Sequence, residues 1–242
     1  MAVIALQGVR GGAGATSLTA ALAWALNRLG EQVITVDLSA DNLLRMHFNM
    51  PVGQSRGWLR AAFDGLPWQQ SALRYAPGLD FIPAGRVNDD ERMTFIRDPE
   101  RYSRSWATQI AELKKLYPWI LLDVPAGDTP WTRAMLALAD RVLAIVVPDA
   151  NCHIRLHQQT FPHNSLFLLN QFSPVSKAQQ DLHQLWVNSL RNFIPLTIHR
   201  DEAMAEALLN KQPLGEYRPY CLAAEGMTTF ANWALINLRE KP

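Results

Sequence analysis

Two periods of apolar residues alternate along the chain: short unbroken runs, and longer segments in which apolar positions recur every three or four residues. Ala2 to Leu6 has the length and composition of a buried strand, and Gly8 begins the turn that ends it. From Thr16 the period lengthens: Leu18, Ala21, Leu22, Ala25, Leu26 and Leu29 fall on one helical face, and Gly30 closes the helix. Gln32 to Asp37 is a second strand, so the chain opens as a βαβ unit. Between 49 and 78, Pro51, Gly53, Gly57, Gly65, Pro67, Pro77 and Gly78 break the pattern, which predicts turns and short helices lying over a sheet. A strand follows at Leu79 to Gly85, and then a charged helical stretch from Asn88 to Leu116 that Pro99 divides into two pieces. Further strands are expected at Trp119 to Asp123, Arg141 to Val147, Leu166 to Leu169 and Phe193 to Ile198, with helices at Asp201 to Leu209 and Thr228 to Leu238. Strand and helix in alternation predict an α/β fold with a mostly parallel twisted sheet, and a length of 242 residues predicts a single domain, 1–242.

Composition narrows the setting. A formal net charge of +1 gives no electrostatic reason to expect nucleic acid or an anionic membrane as the main partner. Cys152 and Cys221 are too few for a disulfide framework, Met1 runs straight into a strand without a leader, and no apolar stretch approaches the ~20 residues of a membrane span. A cytoplasmic protein is expected. The eight tryptophans suit core packing, although Trp58, Trp68, Trp106 and Trp131 lie near polar or turn segments, where they would also suit a protein interface.

The chemistry gathers at strand ends. Arg10-Gly11-Gly12-Ala13-Gly14-Ala15-Thr16-Ser17 follows the first strand and opens the first helix. Its glycines let backbone N–H groups converge on an anion, and the helix adds the positive end of its dipole. Thr16 brings a hydroxyl to the first turn, where phosphate loops hold Mg²⁺. The strict P-loop pattern fails, because Val9 stands at its first glycine and Ala15 at its lysine. A charged hydrogen bond contributes roughly 1.5 to 3 kcal/mol, so the missing lysine weakens triphosphate binding by about one to two decades unless another cation replaces it. Asp37 and Asp123 end their strands on the same side of an open parallel sheet as this loop. Asp37 also has a plainer reading, as a cap on the segment that follows it.

These segments resemble the MinD/ParA family of ATPases, whose deviant Walker A motif reads K-G-G-x-G-K-T/S-T/S. In that family the first lysine reaches across a dimer to the partner's nucleotide, and Arg10 keeps the charge at that place. Val36-Asp37-Leu38-Ser39 resembles the family's D-x-D stretch: Asp37 matches the aspartate that supports the magnesium shell, and Ser39 replaces the one that positions water, with Asp41 two residues on. Asp123-Val124-Pro125-Ala126-Gly127 resembles its D-x-P-A-G, which gives Asp123 to magnesium together with Thr16. Leu168-Leu169-Asn170-Gln171 matches the strand whose asparagine reads adenine, although Asn170 also suits a simple strand-end turn. The stretch from Ile194 to Asp201 resembles a second adenine-side loop that places Pro195 over the base. Arg155 falls where family members carry dimer-facing residues, a second candidate for the charge lost at Ala15.

The resemblance implies a P-loop NTPase fold with helices on both faces of the sheet, and a homodimer enclosing ATP and Mg²⁺. Within the family the chain resembles the cellulose-biosynthesis branch. That implies an accessory switch working with other protein subunits of the cellulose secretion system, recruited through them to the inner membrane or cell pole; the departures at Ala15 and Ser39 predict slow or absent hydrolysis. The alternative is a partition ATPase that positions cargo on DNA. No basic amphipathic helix follows the last apolar helix, which argues against direct membrane docking. His153 and His157, four apart beside Cys152, have a spacing that zinc uses, but no second pair of ligands accompanies them and free surface histidines are the favoured reading. The arginines from Arg86 to Arg104 are interleaved with acids and read as a solvated face.

Overall fold

The computed structural model describes residues 1 to 239; of the chain's last residues, Glu240 to Pro242 lie outside the described part. Eight strands, β1 (Ala2–Gly8), β2 (Val33–Asp37), β3 (Leu73–Ala76), β4 (Leu79–Ile82), β5 (Trp119–Val124), β6 (Arg141–Val146), β7 (Ser165–Phe172) and β8 (Phe193–His199), form one sheet in the order β3-β4-β2-β5-β1-β6-β7-β8. All neighbours pair in parallel except β3 with β4. The helices are α1 (Ala15–Arg28), α2 (Trp58–Asp64), α3 (Asp89–Arg97), α4 (Pro99–Ser103), α5 (Trp106–Lys114), α6 (Pro130–Leu136), α7 (Ala150–Gln158), α8 (Lys177–Ser189), α9 (Ala203–Leu209), α10 (Leu214–Tyr217) and α11 (Leu222–Asn237).

The period-two rule of strands sorts these helices into two layers. Ile4 and Leu6 of β1 face α1 and α11, in a core that takes in Leu18, Leu22, Leu26, Met227 and Phe230. Val3 and Ala5 face the other way, onto an aromatic layer built by Trp58, Phe95, Trp106 and Trp131 of α2, α3, α5 and α6. A third cluster carries Cys152 of α7 and Trp186 of α8 against Ala144, Val146 and Leu169. Because the central strands β1, β2 and β5 are covered on both faces, they read as unbroken apolar runs. Three of the four tryptophans considered for an interface, Trp58, Trp106 and Trp131, are buried in this core, where Trp58 stacks on Trp131 and meets Trp106 edge-on.

Several boundaries differ from expectation. The 49–78 stretch hides the antiparallel edge strand β3; Leu73 and Tyr75 pack on the core while Arg74 pairs with Asp80 at 2.9 Å, an alternation too short to stand out among turn residues. The charged stretch forms three helices, with a second break at Arg104 and Ser105. The C-terminal helix begins at Leu222, six residues before the expected start. β7 does not end at Asn170: it pairs on to Phe172, which faces His199. Pro195 lies inside β8, as the expected strand from Phe193 has it, and not in the adenine-side loop that the resemblance implies; an edge strand tolerates proline because one side of its ladder is unpaired.

Candidate functional site

The parallel strands β1, β2 and β5 deliver their carboxyl ends to one crevice of about 390 Å³, lined by the glycine loop from Gly8 to Ser17, by Ser39 and Asp41, and by Asp123 to Ala126. The loop leaves β1 and turns into α1 at Gly14, which adopts φ 88°. A Cβ there would sit 2.7 Å from Asn170 Nδ2, so the backbone conformation requires glycine and any side chain would also push the Asn170 amide aside. The first intrahelical bond runs from Leu18 N–H to Gly14 O at 2.9 Å, and among the described residues no side chain caps the preceding N–H groups. They face the crevice as an uncapped helix start, with its positive partial charge.

Asp123 stands opposite. It is buried, and its Oδ2 has no hydrogen-bond partner among the described residues. Burial pushes its pKa up to about 7, with a hydrogen bond from the Thr16 hydroxyl pulling the other way. Asp37 lies beside it across the sheet, in register, and behind the crevice wall. Burial, and then the Asp123 charge, hold Asp37 well above the carboxylate range, opposed by backbone N–H groups of Ser39 and Leu44. The Ser39 bond is 3.0 Å and the Leu44 bond 3.1 Å, and the latter satisfies the first N–H of the 3-10 turn Leu44–Phe48, so Asp37 holds that turn as well as neighbouring Asp123. Two adjacent buried carboxyls and a threonine hydroxyl form an oxygen donor set of the kind a hard divalent cation takes.

Ser39 accepts from the Asp41 N–H at 3.2 Å, and Asp41 pairs with Arg92 of α3. The charged face is therefore not wholly solvated: Arg92 reaches Asp41, one of the residues lining the crevice. Arg10 folds onto its own chain. Its Nε donates to Asp149 Oδ2 at 3.0 Å, its Nη2 meets the same oxygen, and its Nη1 donates to Gly11 O at 2.7 Å. Burial works to raise the Asp149 pKa, but the Arg10 and Cys152 hydrogen bonds outweigh it and hold the group below its usual range.

Asn170 is brought to the loop: it is buried, and its Nδ2 donates to Ala13 O at 2.8 Å, which leaves Oδ1 as its acceptor. Arg155 is not among the residues lining the crevice; it is exposed on α7 and bonds Asn151 at 2.9 Å. Pro195, exposed within β8, is likewise absent from the lining. His153 is half-buried, not free on the surface, and its Nδ1 accepts from the Trp186 indole at 3.1 Å. Among the described residues no group of three or more His, Cys, Asp or Glu gathers as a metal centre.

Sequence reasoning passed over Gln7 and read Trp58 and Trp131 only as core or interface residues. Gln7 Nε2 donates to Pro125 O at 2.9 Å and Gly127 O at 3.0 Å, tying β1 to the loop after Asp123. A polar residue next to the end of an apolar strand was the available signal. Trp58 Nε1 donates to Asp37 O at 2.7 Å and Trp131 Nε1 to Leu38 O at 2.9 Å, so stacked rings hold the chain leaving β2.

The sequence matches, over residues 1–235, the family model described as cellulose biosynthesis protein BcsQ. It is 49% identical to that protein of Salmonella typhimurium and 48% identical to that of Escherichia coli K12, in each case over 98% of this chain and 95% of the relative. The fold is that of the MinD/ParA ATPases: the septum site-determining protein MinD of Pyrococcus horikoshii, solved with Mg-ADP, superposes with a TM-score of 0.78 at 19% identity, over 100% of this chain and 99% of that one. Among the described residues no helix is long and apolar enough to cross a membrane. A match along nearly the whole sequence, on a fold whose glycine loop and strand-end carboxyls meet in one crevice, places this chain in the BcsQ family of cellulose biosynthesis proteins.

Proposed function

We propose that this chain is an ATP-binding dimeric switch, an accessory subunit of the bacterial cellulose synthesis and secretion system, which turns nucleotide over slowly or not at all. The observation that carries the nucleotide reading is the pairing, across one crevice, of an uncapped helix start with a buried carboxylate whose Oδ2 has no partner. The backbone of Gly11 to Ser17 would take the phosphates, and Thr16 and Asp123, with Asp37 behind, would hold Mg²⁺ or its water. Asn170 would offer Oδ1 to the amino group of adenine, and Pro195, on the neighbouring strand β8, is the second adenine-side residue the resemblance gives. Arg10, released from Asp149, would reach the partner's nucleotide; Arg155, exposed on α7, is the other candidate for that role. Mg²⁺ bound there would draw charge from the phosphates and join the two strand ends to the ligand. The work in cellulose synthesis, and recruitment to the inner membrane or pole by protein partners, rest on the names of the relatives at 48–49% identity.

Light scattering on nucleotide-free protein, before and after addition of Mg²⁺ and ATP, tests the switch. A mass that doubles only with both supports it. Monomer at concentrations where calorimetry shows ATP bound overturns it, and a salt-sensitive shift of non-specific DNA in the ATP state would favour cargo positioning on DNA instead.

A further inference from the structure

We infer that Asn170 and Gln171, near the end of β7, act as a backbone clamp that presets the glycine loop for phosphate, with Gln171 the positioning residue; the inference rests on the nucleotide reading above. Asn170 Nδ2 donates to Ala13 O at 2.8 Å and Gln171 Nε2 to Gly12 O at 3.0 Å, so two successive side chains hold two successive peptide oxygens. In a planar trans peptide the carbonyl and the following N–H point to opposite sides. Turning the Ala13 oxygen towards β7 therefore turns the Gly14 N–H away from β7. Turning the Gly12 oxygen the same way fixes the next peptide plane, whose Ala13 N–H is already tied to Arg10 O at 3.3 Å. The segment from Arg10 to Gly14 is pinned at each step.

β7 departs from strand geometry to do this. Successive strand side chains normally point to opposite faces, so two neighbours would not both reach the loop. Gln171 instead adopts φ 57°, although the strand pairs on to Phe172 and His199. This left-handed residue interrupts the alternation and brings both amides onto one stretch of loop backbone. A non-glycine residue in that conformation is uncommon, and such strain persists only where its surroundings enforce it. With Ala15 where a strict P-loop has lysine, binding depends on the loop's own N–H groups, and their preorganisation becomes the quantity that sets affinity.

Gln171→Gly separates this role from a structural one. Glycine adopts φ 57° freely, so the variant keeps the backbone and loses only the amide. Calorimetry with Mg²⁺ and ADP is expected to show binding about two- to ten-fold weaker. The Tm of the nucleotide-free protein is expected not to fall, and amide hydrogen exchange at residues 12 to 14 to quicken. Gln171→Asn, which tolerates the left-handed backbone but is one methylene short, should lose affinity in the same way. Unchanged affinity in Gln171→Gly overturns the clamp, as does a loss matched by a fall in Tm. If the parent binds neither ADP nor ATP with Mg²⁺, the nucleotide reading itself fails; exchange at residues 12 to 14 then decides the clamp alone, and an unchanged rate overturns it.

Discussion

Asp149 holds Arg10 by two of its guanidinium nitrogens while its other carboxylate oxygen caps α7, accepting from Cys152 N–H at 2.8 Å. An arginine held this way must leave its own chain before it can serve a neighbour's nucleotide. Both side chains are partly exposed, so solvent weakens the pair, and breaking it costs roughly 1 kcal/mol. A dimer breaks two such pairs, roughly 2 kcal/mol, so Asp149→Asn should lower the protein concentration needed for ATP-dependent dimerisation about thirty-fold. Asparagine keeps the cap, so the fold is preserved. Arg10→Ala should weaken the dimer, and adding Asp149→Asn to it should change nothing further. Sedimentation of the four proteins with Mg²⁺ and ATP measures this.

Replacing Asp123 should move stability and binding in opposite directions. Burial disfavours its ionised form, and one of its oxygens is unpartnered, so Asp123→Asn should leave the nucleotide-free protein at least as stable as the parent at pH 8. The same change removes a charged oxygen from the crevice and should weaken Mg²⁺-dependent nucleotide retention by ten-fold or more, an order-of-magnitude figure for a charged contact. Thr16→Ala should weaken it too. Melting curves and nucleotide titrations with and without Mg²⁺ give both readings; two variants that bind Mg²⁺ and ATP as the parent does would move the metal elsewhere.

Hydrolysis should be slow. Ala15 supplies no charge to a transferring phosphoryl group, Ser39 cannot act as a carboxylate on water, and Asp41, the nearby acid, is engaged by Arg92. Losing one preorganised donor commonly costs about 10² to 10³ in rate. Phosphate release followed for hours, against Thr16→Ala as control, should show far less than one turnover per second; a rate on the order of 1 s⁻¹, ordinary for phosphoryl-transfer enzymes, would refute this.

A pH effect should arise away from the crevice, at His47. Burial lowers its pKa to about 4, opposed only weakly by the carbonyl of Gln212. The unfolded chain takes up a proton near pH 6.5 that the folded one refuses until about 4, so stability is lost as pH falls through that window and regained as it rises. The amplitude is roughly 3 kcal/mol, from about 1.4 kcal/mol per unit. His47→Phe should flatten the fall in urea melts taken between pH 7 and 4.

The βαβ opening, the glycine loop and both strand-end aspartates were legible because each is local: a run of Val, Ile and Leu ending in a carboxylate or a glycine turn announces its own geometry. What was not legible depends on partners far away in sequence. Arg10 and Asp149 are separated by 139 positions, and nothing near Arg10 says that its charge is already engaged. Asn170 looked like a strand-end residue facing a ligand, but its donor is used 157 positions away, at Ala13. The continuation of β7 past it depends on β8, since Arg200 N–H bonds Phe172 O at 2.9 Å, and no periodicity within β7 reveals that. Pro195 is expected both in a short strand and in a loop over the base, and only the sheet order, which makes β8 an edge, shows how the strand keeps its proline.

The two indoles bonded to the carbonyls of Asp37 and Leu38 give the protein an optical gauge of its own. Indole emission shifts with the polarity and hydrogen bonding of its surroundings, and the Trp131 ring belongs to the helix that begins just after the Pro125 to Thr129 loop. Any movement of that loop which drags α6 must alter the stacking of Trp131 on Trp58, now 5.4 Å between ring centres. The state of the crevice should therefore be readable without a dye or a tag, as a change of colour in the ultraviolet.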